Sequence, residues 1–216
     1  MKIKTTWIVL AAMLAGALLL GVAVYGYLPE RVASHWNVRG EADGFSSALS
    51  GILLLPAIMG ATGLLMMVIP SIDPMRENVE SFRSEYNITV VSMAGFMMYL
   101  HVLTLLWNLG VSFSMNSLLA PGFGGLFFLL GEMLTKARRN FFIGIRTPWT
   151  LSSDRVWQRT HERGAMGFKV AGALTLLSIL LPQWAFFFMI GPVLVVAVYT
   201  LIYSYVEFQR EKAGRP

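Results

Sequence analysis

The chain has 216 residues, of which 56% are hydrophobic and only 13% charged, and its mean hydropathy is +0.61. A soluble domain of this size carries roughly twice that share of charge, so the composition excludes a water-soluble globule and points to the bilayer as solvent. There is no cysteine, which excludes disulfides, thiolate metal sites and cysteine nucleophiles, and the net charge is +5. The positive charge lies beside apolar runs, where it reads as an orientation signal and a contact for lipid head groups. Direct binding of nucleic acid is not expected.

Six apolar stretches follow in chain order: Trp7–Leu28, Leu49–Pro70, Asn87–Leu109, Ser117–Thr135, Ala165–Leu181 and Trp184–Phe208. Each has close to the length needed to cross the hydrocarbon core as a helix. The first run is too long for the core of a cleaved signal peptide and is read as an uncleaved span. With the N-terminus in the cytoplasm, only Arg31 and Arg39 of the 17 Lys and Arg fall outside. The positive-inside rule therefore predicts both termini inside. The predicted fold is an all-α, polytopic single membrane domain with six transmembrane helices. It adds a short amphipathic interfacial helix before the fifth span.

Three connections are long: residues 29–48 outside, and 71–86 and 136–164 inside. The outer one, LPERVASHWNVRGEADGFSS, crowds His35, Trp36, Asn37, Glu41 and Asp43 together. One reading is an outward-facing binding site, with His35 and Asp43 on a cation. The other, favoured, is a compact loop with Trp36 on the membrane surface and polar groups in turn hydrogen bonds. No metal and no cofactor is expected.

The large inner connection begins with Lys136, Arg138 and Arg139 and continues Phe141-Phe142-Ile143-Gly144-Ile145-Arg146-Thr147-Pro148-Trp149. Gly144 and Pro148 break any helix, and Thr147 before proline is pushed to extended backbone, so this apolar strip should fold against the bundle. Ser152, Ser153 and Asp154 are candidate N-caps of the interfacial helix, expected to reach Gly164. Val156, Trp157, Thr160 and His161 share one of its faces, and Arg155, Arg159 and Arg163 line another. A docking platform and a plain anchor for the fifth span stay equally open.

Inside the spans, His101, Thr104 and Asn108 share one face of the third helix, where interhelical hydrogen bonding is expected. Glu132 is read as the i, i+4 partner of Lys136 in preference to an intramembrane functional acid. No HExxH, GxSxG or phosphate-binding glycine loop is present, and no catalytic residue is assigned. Two rival readings remain: a small transporter or channel for ions, lipid or peptide using His101 and Glu132, and a membrane hydrolase using Glu132, Asp154 and His161.

Two motifs carry a resemblance. The first is Leu28-Pro29 with His35-Trp36-Asn37, Gly40 and Asp43-Gly44. The second is Asn140-Phe-Phe-Ile-Gly-Ile-Arg-Thr-Pro-Trp-Thr-Leu151, followed by Asp154, Trp157 and Thr160-His161. Together they resemble the SdpI family of bacterial membrane proteins, and the first looks like that family's N-terminal domain of unknown function. The resemblance implies immunity to, or sensing of, a secreted antimicrobial peptide toxin, and signalling through a cytoplasmic ArsR-like repressor. It implies functional loops at His35, Trp36, Asn37 and Asp43 outside. Inside, it implies Asn140, Gly144, Arg146, Thr147, Pro148, Trp149, Trp157 and His161. Membrane lipids complete the expected partners.

Overall fold

The computed structural model describes residues 1–214. Helix α1 spans Ile3–Val24 and runs on through a 3-10 turn, Tyr25–Tyr27. Two strands follow, β1 (Arg31–Trp36) and β2 (Ala42–Ser47). The remaining helices are α2 (Ala48–Ile72), α3 (Arg76–Ser81), α4 (Arg83–Asn108), α5 (Met115–Lys136), α6 (Pro148–Ser152), α7 (Asp154–Leu177) and α8 (Ala185–Lys212). Among the described residues, six helical segments are long and apolar enough to cross a membrane. Six crossings return the two ends to one side, called here the termini side; the opposite one is the hairpin side.

The helices form two groups of three. In the first, α1, α2 and α4 pack together; in the second, α7 packs on α5 and α8; and α4 against α5 joins the groups. The α5–α7 seam is built from glycines. A Cβ on Gly172 would lie 2.7 Å from the Gly124 carbonyl oxygen, and one on Gly131 would lie 2.8 Å from that of Ala165. Without a hydrophobic drive between helices in lipid, such backbone approach is a main source of association. The outward faces are apolar, with Ile8, Leu19, Leu194 and Val195 all exposed, as lipid contact requires.

Two elements differ from the sequence expectation. Residues 29–48 form an antiparallel hairpin, not an irregular loop, with register shifts between Ala33 and His35 and between His35 and Trp36. These bulges break the alternation that marks a strand. Second, no separate interfacial helix ends at Gly164, because α7 runs unbroken from Asp154 through the fifth span. A Cβ on Gly164 would collide with Cδ1 of Ile145. That glycine serves close packing and does not end the helix. The separate short helix ahead of the span is α6, held by a capping box between Thr147 and Thr150.

Candidate functional site

On the hairpin side, Asn108 at the end of α4 treats Ala33 as a neighbouring strand would. Its Oδ1 accepts from the Ala33 N–H at 2.7 Å, and its Nδ2 donates to the Ala33 carbonyl at 3.0 Å. Asn116 of α5 donates to the Val38 carbonyl at 2.9 Å. The hairpin is thus fastened to two spans. Trp36 meets Trp107 edge-on with ring centroids 5.6 Å apart, so its ring packs on a helix end as well as facing outward. Gly44 leaves no room for a side chain, since a Cβ there would lie 2.8 Å from Cβ of His35.

His35 Nδ1 lies 2.5 Å from Asp43 Oδ1 across the strands. At the tip, Asn37 Nδ2 and Arg39 Nε both donate to Glu41 Oε2 at 2.9 Å, and Asn37 Oδ1 accepts from the Arg39 and Glu41 N–H groups. The Asn37 amide first, and the Arg39 guanidinium second, hold the Glu41 carboxyl below the usual glutamate range. Among the described residues no three potential metal ligands gather, so His35 and Asp43 stand as a pair.

On the termini side, the strip after α5 is knotted around Asn140, which is fully buried. Its Oδ1 accepts from the N–H groups of Phe142 (3.0 Å) and Ile143 (2.6 Å), while its Nδ2 donates to the carbonyls of Arg138 and Ile143. One amide therefore satisfies four backbone groups that no helix or sheet reaches. Asp73, at the end of α2, takes the Phe141 N–H at 2.9 Å and the Met75 N–H at 2.7 Å.

Gly144 follows with φ +114°, in the left-handed region, and the ring of His161 occupies the place its side chain would need. His161 Nε2 accepts from the Ile145 N–H at 3.0 Å, and Nδ1 lies 2.8 Å from the Trp157 carbonyl. An acceptor at Nε2 and a donor at Nδ1 define the neutral Nδ1–H tautomer. The ring stacks on Trp157 at 4.0 Å, and Trp157 donates its indole N–H to the Ala137 carbonyl at 2.9 Å.

Further along, Thr147 hydrogen-bonds Ser204 of α8 at 3.1 Å, and Trp149 packs edge-on against Tyr205 with centroids 5.1 Å apart. Pro148 begins α6. Arg146 is exposed and donates to the Phe141 carbonyl at 2.7 Å. The strip is therefore stitched to α2, α7 and α8. Beside it a polar cavity of about 690 Å³ opens, lined by Trp157 and His161, by Glu85 of α4 and Lys136 of α5, and by Arg139 and Asp154.

Glu132 is paired with Lys169 of α7 at 2.5 Å, not with Lys136. Asp154 binds Arg139 at 2.7 Å, and His161 is engaged as described. Of these three groups, Asp154 and His161 line the cavity beside the strip, and Glu132 is not among its lining residues. In the spans, His101 of α4 lies 3.2 Å from the Ala17 carbonyl of α1 through Nε2, an interhelical contact, whereas Asn108 donates to the Thr104 backbone carbonyl within its own helix.

Sequence reasoning missed Asp73, Asn116 and Glu207, and it placed Asn108 on a hydrogen-bonding face without finding its partner, Ala33 of the hairpin. Glu207 is wholly buried on α8, with Arg159 at 2.7 Å, Arg155 at 3.5 Å and Arg210 at 3.9 Å. The usable signal was the i, i+4 spacing of Arg155 and Arg159 on α7, which lets one acid on the facing helix serve both.

Residues 136–204 match the SdpI/YfhL protein family, and residues 12–60 match DUF1648, a domain of unknown function. The SdpI likeness thus covers the C-terminal part of the chain. The first match holds the Asn140 knot, α6, α7 and most of α8; the second holds the hairpin with its flanking halves of α1 and α2. This SdpI-like chain is also 25% identical over 198 residues to "Immunity protein SdpI" of Bacillus subtilis (strain 168), covering 91% of this chain and 93% of that one. No solved structure matches it significantly. With six membrane-crossing helices and these likenesses, it is a multi-pass bacterial membrane protein.

Proposed function

We propose that this SdpI-like protein confers immunity on a bacterial cell against a secreted antimicrobial peptide. The observation that carries the reading is the extent of the likeness to the Bacillus immunity protein, which runs through the hairpin, the spans and the Asn140 knot alike. The positive-inside rule puts the termini side in the cytoplasm, so the hairpin with His35, Trp36, Asn37 and Asp43 meets the peptide from outside. Asn140, Gly144, Thr147, Pro148, Trp157 and His161 keep the inner face in shape. Arg146, Trp149 and the neighbouring polar cavity offer it to a cytoplasmic ArsR-like repressor.

The test is protection. The chain is expressed in a Bacillus subtilis strain lacking its own immunity protein and challenged with that strain's killing peptide. Survival near the level of the native immunity protein is expected. Arg146→Ala or Trp149→Ala should abolish protection while membrane-inserted protein stays at the wild-type amount. Killing as rapid as in the empty strain, or full protection by both variants, counts against the proposal.

A further inference from the structure

Most arginines around the termini-side ends of α7 and α8 have carboxylate partners. Arg155, Arg159 and Arg210 surround Glu207, and Arg139 holds Asp154. Arg163 does not: among the described residues it makes no ion pair, and it is exposed. Its guanidinium sits 5.9 Å from the centre of the Tyr203 ring, and Tyr199 lies one turn away with ring centroids 5.7 Å apart. One of its donors hydrogen-bonds the Tyr203 hydroxyl, and the rest of the exposed guanidinium fork stays open.

Depth gives that cation its partner. Trp184 opens the hairpin-side end of the last span, and Tyr203 stands 19 residues later. At 1.5 Å per residue the separation is about 29 Å, close to the roughly 30 Å thickness of the hydrocarbon core. Arg163 therefore lies where hydrocarbon gives way to head groups. The helix surfaces beside it are exposed and apolar, with Met166 and Val170 on α7 and Val198 and Ile202 on α8. Acyl chains cover such a surface, and a phosphodiester lies at the level of the guanidinium.

We propose that Arg163, held against Tyr203 with Tyr199 one turn away in the outward groove between α7 and α8, binds the head-group phosphate of an anionic phospholipid. The site is independent of the immunity reading and of which side faces the cytoplasm. The planar fork of arginine takes two phosphate oxygens at once, and the two phenol hydroxyls can donate to the same group.

The test offers phosphatidylglycerol and phosphatidylcholine in equal amounts to the full-length protein in neutral detergent and counts retained lipids by native mass spectrometry. Preferential retention of phosphatidylglycerol is expected. Arg163→Gln should lower it about fivefold, the effect of losing one membrane-surface cation. Arg163→Lys should give an intermediate value, and Lys4→Gln on α1 should change nothing. If Arg163→Gln does not fold, Tyr203→Leu carries the same expectation through loss of the seat. Retention unchanged in these variants, or reduced equally by Lys4→Gln, overturns the proposal. Release of the lipid by millimolar inorganic phosphate would reassign the site to a soluble anion and overturn it as well.

Discussion

Asn140 shows how much one buried amide can organise. The backbone from Arg138 to Ile143 has neither a helix nor a sheet to satisfy it, and at Asn140 and Ile143 it is buried where water cannot. Asn140→Ala would take their partner from the Phe142 and Ile143 N–H groups and from the Arg138 and Ile143 carbonyls. A buried orphan costs about 1–3 kcal/mol, and some relaxation is expected, so the variant should lose about 3 kcal/mol of stability. A lowered thermal midpoint in detergent checks this, and a midpoint equal to wild type would remove Asn140 from its organising place. Asparagine is required because it supplies acceptor and donor together; aspartate would bring a buried charge in place of the donors.

At the level of elements, the turn at Gly144 links the strip to α7. Left-handed backbone and the facing His161 ring both oppose a side chain there. Gly144→Ala should therefore cost about 1–3 kcal/mol from backbone strain alone and should also break the Ile145–His161 hydrogen bond. Gly26→Ala is the control, because nothing lies within 4 Å of its Cβ position. Near-equal melting temperatures for the two variants would contradict this account. The same element shows what the sequence made legible. The face of Val156, Trp157, Thr160 and His161 was readable as apolar, and it is buried; the periodicity could not say whether lipid or the chain's own strip covers it. The hairpin was hidden because its strands carry Ser, Asp and Gly and because bulges interrupt the alternation. Glu132 was assigned to Lys136 because only neighbours on one helix can be paired from sequence, whereas Lys169 arrives from another helix through the glycine seam.

For the whole molecule, the six spans were readable because lipid admits few alternatives to long apolar helices. Their arrangement as two groups of three was not, since it rests on which glycines face which carbonyls. The order of crossings makes a direct prediction. Single cysteines at His35 and Trp149, in a chain that has none of its own, should react with a membrane-impermeant maleimide from opposite sides of the bilayer. Labelling of both from one side would invalidate the topology and with it the proposed division between an outer sensing face and an inner one.

The grip of Asn108 on Ala33 and of Asn116 on Val38 has a mechanical consequence. The hairpin joins α1 to α2 through the chain, and through these side chains it is also tied to α4 and α5, the pair that joins the two helix groups. Force applied at the hairpin's tip is therefore delivered to the line along which α4 meets α5. Cutting the two amides would leave the hairpin intact as a fold while uncoupling it from that line.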